Sequence, residues 1–222
     1  MKISTSCALM LALLTSNVSA TVLTFDGSSF GSVTLIPDDY GDRVTNFGAP
    51  GDSLIYGAAG GITPNVVVDY SPAANFSPFS NWTSGYGDLT NTLGHVLFNV
   101  PGEVVLTPDA GFTLALHSFD IGAWLTDYAD SRVRVIDSAG TVRFDSGVFT
   151  ALLRPDGVNL GHYTFPFNPI SSDLALRIEV TEYGNLGLDN VQFSQSAVPL
   201  PTTLWLLAPA LGGLGRLRRR VA

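Results

Sequence analysis

The stretch SRVRVIDSAGTVRFDSG, Ser131 to Gly147, decides the reading of the whole chain. Val133 and Val135 alternate with Arg132 and Arg134, DSAG supplies a turn, and Val142 and Phe144 then alternate with Thr141 and Arg143. A period of two interrupted by turn residues is the signature of a hairpin, here with one apolar face and one arginine-bearing face. The segment LALRIEVTEYG repeats the pattern: Leu174, Leu176, Ile178 and Val180 point one way, Arg177 and Glu179 the other. A helix would need its apolar residues spaced near 3.6, and neither segment has that spacing.

Working outward, further short runs of this kind cover Thr21–Phe25, Val33–Ile36, Asn65–Tyr70, Val96–Val100, Glu103–Leu106 and Phe112–Phe119. Gly, Pro, Asn and Asp separate them. The fold class expected is all-β, an antiparallel, jelly-roll-like β-sandwich over residues 21–196. Two stretches rich in Gly, Pro, Ser and Asn, Gly48–Pro64 and Ser71–Asn91, are expected as long surface loops, the usual place for binding residues on a sandwich. No internal repeat divides the body.

Six of the 11 basic residues share this body with all 19 acidic ones, leaving it near −13 (6 − 19) within a chain of net charge −8. Such a body repels nucleic acid, and cations or neutral polymers suit it better. The first 20 residues, MKISTSCALMLALLTSNVSA, read as a secretory signal helix cleaved by signal peptidase after Ala20. The single cysteine, Cys7, lies within it, so the exported protein is expected to have neither a disulfide nor a thiol nucleophile.

The sequence offers few catalytic signals. GSSFG, Gly27 to Gly31, matches the G-x-S-x-G pattern with Ser29 as nucleophile, but that motif needs a strand-to-helix elbow, and another strand follows here. His95, His117 and His162 stand in separate strand-like stretches without metal-ligand spacing; His117 reads as a hydrogen-bonded, partly buried side chain. Asp26 closes the first strand and Asp189 lies in the last. Adjacent first and last strands would bring these carboxylates together, where they could hold Ca²⁺ with help from Asp38, Asp39 and Asp42. The alternative is that they cap turns through backbone N–H groups. Trp82 and Tyr86, and Trp124 and Tyr128, sit beside loop residues and offer flat rings for stacking on sugars, although such rings more often fill cores.

The last 26 residues differ from the body. VPLP is followed by an apolar run, Thr202 to Leu214, and by Arg216, Arg218, Arg219 and Arg220. The run is short for a bilayer span of about 20 residues, and the arginines would hold its end on the cytoplasmic side. Val198, Pro199, Leu200, Pro201 and Thr202, the apolar helix and the arginine cluster resemble a PEP-CTERM sorting signal, with leucine where that family commonly has glutamate. The resemblance covers residues 197–222. It implies a Gram-negative bacterium in which an exosortase recognises the tail, and an exported protein held transiently in the inner membrane before reaching the surface or medium. Such systems accompany exopolysaccharide and biofilm production. The expectation is therefore a non-enzymatic envelope or matrix component, with a carbohydrate-binding module, and behind it a secreted polysaccharide hydrolase, as the alternatives.

Overall fold

The computed structural model of the protein describes residues 20–25, 34–36, 39–45, 61–72, 80–82, 84–90, 92–94, 102–181 and 185–198. These form thirteen strands: β1 (Thr21–Leu23), β2 (Thr34–Leu35), β3 (Val66–Pro72), β4 (Ser80–Trp82), β5 (Thr92–Gly94), β6 (Gly102–Pro108), β7 (Phe112–Ala123), β8 (Tyr128–Asp137), β9 (Val142–Asp145), β10 (Phe149–Ala151), β11 (Tyr163–Ser172), β12 (Leu176–Thr181) and β13 (Leu186–Ala197). They assemble into two antiparallel sheets. One has the order β11-β7-β13-β5-β4-β2, with β1 also on β13; the other has the order β10-β8-β12-β6-β3, with β9 also on β8.

The sheets share one core. Leu114, Leu116, Phe119 and Ile121 of β7 and Val191 and Phe193 of β13 meet Val104, Leu106, Val133, Val135, Leu176 and Ile178 of the other sheet. At one margin an aromatic seam joins the two. Phe119 lies 5.5 Å from both Phe165 and Phe167 of β11, and these rings meet Phe144 of β9 and Phe149 of β10 at 5.0–6.0 Å. Rings at such spacings and tilts pack edge against face, which suits their quadrupoles.

The Ser131–Gly147 hairpin forms as expected, with Val133 and Val135 fully buried. Its turn is held by Asp137, whose Oδ1 accepts from the N–H groups of Ala139 (3.0 Å) and Thr141 (2.9 Å). Val142 departs from the expected alternation. A register shift pairs Ile136 with Val142 but Val135 with Phe144, so Phe144 faces the core while Val142 is 48% exposed. Leu174 precedes β12 and is likewise exposed. Ser80–Trp82, expected within a loop, is strand β4.

A similar irregularity sits in β7. Leu116 faces Phe193 and Ser118 faces Gln192, which leaves His117 as the extra residue of a bulge. Its Nε2 lies 2.8 Å from Ser194 Oγ, and burial holds the imidazole below its ordinary value. A depressed histidine pKa means that the folded state binds the proton less tightly than the unfolded chain. The stabilisation is complete above about pH 6.5 and is lost as pH falls through the lower, folded value. Thermal melts are therefore expected to show a falling melting temperature from pH 7 to pH 5, and His117→Gln should flatten this part of the profile. An unchanged slope in the variant would place the effect elsewhere.

As expected, the first and last strands lie side by side, Leu23 opposite Val191. Among the described residues no helix is long and apolar enough to cross a membrane. Residues 1–19 of the expected signal segment (1–20) and the tail beyond Val198 lie outside the described residues, as do His95, the Val96–Val100 stretch and Ser29.

Candidate functional site

The best-built polar site lies at the end of the first sheet where β7 stops, β13 and β11 begin, and residues 84–90 cross over them. Its floor comes from two mirror-related triplets, Asp120-Ile121-Gly122 and Gly187-Leu188-Asp189. Antiparallel pairing sets Asp189 opposite Asp120 and Gly187 opposite Gly122. Side chains alternate along a strand, so these four residues share the face that points away from the core, while Ile121 and Leu188 point into it.

The glycine pair is a seat for Tyr86. A Cβ on Gly187 would lie 2.6 Å from Tyr86 Cδ1, and one on Gly122 would lie 2.7 Å from the Tyr86 carbonyl oxygen. Tyr86 is fully buried, and its hydroxyl donates to Asn185 Oδ1. Burial raises its pKa strongly, so the phenol stays protonated. This corrects the sequence-based expectation for Tyr86: its ring anchors the loop and is closed to a sugar.

Trp124 is the next residue on this face and is half-buried. Its backbone N–H donates to Asn185 O (3.1 Å), and its ring lies 6.4 Å from that of Tyr86. Gly85 lets the indole approach, since a Cβ there would stand 2.3 Å from Trp124 Nε1. Leu125 follows, 63% exposed and in the left-handed region at φ 57°, with its N–H donating to Gly85 O (2.9 Å). A leucine held in that conformation is strained, and such strain collects at functional sites. Tyr128 supports the loop from below: it is half-buried against the core, and its hydroxyl donates to Trp124 O at 3.1 Å. Trp82 lies in β4, at the partner position of Thr92.

Beside the aromatic group runs a polar chain. His162 Nδ1 lies 2.9 Å from Oδ1 of the exposed Asp88, and its Nε2 lies 3.8 Å from Asp120 Oδ2. Asp120 Oδ2 also accepts from Asn190 Nδ2 (2.8 Å), and Asp189 Oδ1 accepts from the Asn190 N–H (2.7 Å). Asp120 and Asp189 are 8% and 4% exposed. Two facing carboxylates so enclosed are not placed to flank a sugar ring, which the hydrolase alternative requires.

Of the residues suggested for Ca²⁺, Asp26 and Asp38 lie outside the described residues. Asp189 finds Asp120 as its neighbour across the strands, and Asp42 accepts from the Val68 N–H at 2.6 Å. Among the described residues no group of three or more His, Cys, Asp or Glu side chains is placed to hold a metal ion. Of the sorting box only Val198 is described, exposed and with its N–H donating to Gly111 O; Pro199, Leu200, Pro201, Thr202 and the four arginines lie outside the described residues.

Sequence reasoning misses Asp88, Asp120, Asn185 and Asn190, and assigns His162 no site. The triplets DIG and GLD were the available signal. They mean something only once the register shows that they face each other.

A scan against protein-family models and a search of curated proteins match nothing to this chain. Two solved structures show a weak likeness to part of this chain. One is CBM32-3 of a family 31 glycoside hydrolase from Clostridium perfringens, 12% identical over 59% of this chain and 76% of that one, with a TM-score of 0.25. The other is the enzymatically active domain of tailspike protein 4 of bacteriophage CBA120, 14% identical over 60% of this chain and 19% of that one, with a TM-score of 0.26. Neither likeness assigns a function; the described residues form two antiparallel sheets with a strained aromatic loop end.

Proposed function

We propose that this chain is an exported, exosortase-processed envelope or matrix protein of a Gram-negative bacterium, and that its sandwich holds polysaccharide at the Trp124 loop end without cleaving it. The supporting observation is the half-buried Trp124 beside the exposed, strained Leu125, with Asp88 and His162 as polar groups on the same loop cluster. A flat indole can lie against the C–H face of a sugar ring while nearby carboxylate and imidazole groups take its hydroxyls, the usual mix of an apolar wall with a few fixed polar groups. An acidic body favours a neutral polymer over an anionic one. Tyr128 belongs to this proposal as a support, and Trp82 is retained in it as a candidate sugar contact on β4. Exosortase and signal peptidase are the partners during export, and exopolysaccharide is the partner afterwards.

Delivery and binding are tested separately. Mass spectrometry of the exported protein from its host should find a C-terminus near the VPLP box, and an intact arginine tail on the mature form would sink the sorting reading. In the same host, wild-type protein should fractionate with the extracellular matrix, and Trp124→Ala should move to the soluble medium. Equal partition of both proteins would remove the loop end from the proposal.

A further inference from the structure

A second polar depression lies in the other sheet, far from Trp124. It has a volume of about 370 Å³ and is lined by Glu103 and Val105 of β6, Arg177 of β12, Asp137, Ser138 and Gly140 of the β8–β9 turn, and Ala175. That turn closes the opposite end of β8 from Tyr128, which touches Trp124, so the two places stand about 30 Å apart along the strand. The volume falls within the range of small-molecule sites, about 300–1,000 Å³.

Its charges are imperfectly matched. Register places Glu103 directly opposite Glu179, a like-charged pair that is unfavourable by itself. Arg177 serves both, but loosely: Nη1 is 3.4 Å from Glu103 Oε1 and Nη2 is 3.6 Å from Glu179 Oε2. Arg177 Nε is buried and has no hydrogen-bond partner among the described residues. A guanidinium carries five N–H donors in a fixed fork, and leaving them short of acceptors is costly. Glu103 shows the same tension, its carboxyl raised above the usual range by burial, with Arg177 acting against this and Glu179 adding to it. Asp137 is the opposite case, held low by the Thr141 N–H and Arg143. Around the pocket four carboxylates (Glu103, Asp137, Glu179 and Asp69, the last directly opposite Val105 on β3) outnumber three guanidiniums (Arg134, Arg143, Arg177), Arg134 being bonded to Glu179.

We infer that this pocket is a second ligand site, which takes one unit of a neutral polyhydroxylated molecule, a sugar ring or polyol, between Arg177, Glu103 and Asp137. The excess carboxylate disfavours an anionic ligand, Arg177 at the centre of the lining disfavours a cation, and interleaved donors and acceptors match hydroxyl groups, which both give and accept. Ser138, Gly140 and Ala175 leave room for a ring, and Val105 supplies an apolar patch. With the loop end it would make each molecule bivalent, a crosslinker of matrix chains; this consequence rests on the loop-end proposal, whereas the pocket does not.

The test is amide-resolved NMR titration of the full chain with cellohexaose, xylohexaose and mannohexaose, and with oligogalacturonate as the anionic comparison. A neutral probe should shift the amides of Val105, Ser138 and Gly140. Arg177→Gln and the pocket-filling Ala175→Leu should each weaken that response at least tenfold, and Trp124→Ala should leave it unchanged. Shifts at Gly85 and Leu125 report the loop end independently, so the two sites fail or succeed separately. The inference is overturned if no neutral probe moves the pocket amides, if oligogalacturonate binds there more tightly, or if Ala175→Leu binds as the wild type does.

Discussion

Tyr86→Ala is expected to lower unfolding stability by about 3–5 kcal/mol, the range for removing a fully buried aromatic ring. The ring fills the space between residues 84–90 and the Gly122–Gly187 seat, where a Cβ on either glycine would already collide with Tyr86. The variant also deprives Asn185 Oδ1, in a side chain only 6% exposed, of its donor. Tyr86→Phe separates the two contributions. It keeps the ring and should lose about 1–3 kcal/mol, the cost of a buried acceptor left unmet. Urea unfolding checks both values. If Tyr86→Phe costs as much as Tyr86→Ala, the hydroxyl bond rather than packing holds the loop. Because the loop carries Gly85 and Asp88, Tyr86→Ala should also abolish ligand retention at Trp124.

Phe119→Ala should have an effect of similar size, about 3–5 kcal/mol, for a different reason. Phe119 is completely buried and is the ring of β7 that reaches both Phe165 and Phe167, which in turn touch Phe144 across the sandwich. Its loss opens a cavity where the two sheets join, and β11, which among the described residues pairs only with β7, is the element that then loosens. Hydrogen exchange should show faster exchange along Tyr163–Ser172 than along β12. Uniform acceleration across both sheets would mean that the seam is no local joint.

The fold class was legible because Arg132–Val135 and Leu176–Val180 alternate cleanly enough for their buried faces to be named. Legibility ended at the bulges. His117 and Val142 each fall where one extra residue shifts the register, and a period-two reading carried across such a point assigns the wrong face to whatever follows. Strand β4 was hidden because three residues in a Ser-, Asn- and Gly-rich stretch are too few to show any period. The site was harder still. Trp124 stood out as an aromatic beside a turn, but Tyr86 had the same local look and proved to be the anchor beneath it. That Tyr86 is the covered one depends on glycines more than 30 residues from it, at positions 122 and 187. The Asp120–Asp189 pairing likewise arises only from the register of β7 on β13.

The most direct measurement is affinity electrophoresis of the full chain through gels containing neutral glucan, xylan or mannan, or the exopolysaccharide of the producing strain. Wild-type protein should be retarded by at least one of these polymers. Trp124→Ala, with a melting temperature close to that of the wild type, should migrate as in an empty gel. Retardation of Trp124→Ala equal to the wild type, or free migration of the wild type through every polymer, would contradict the account.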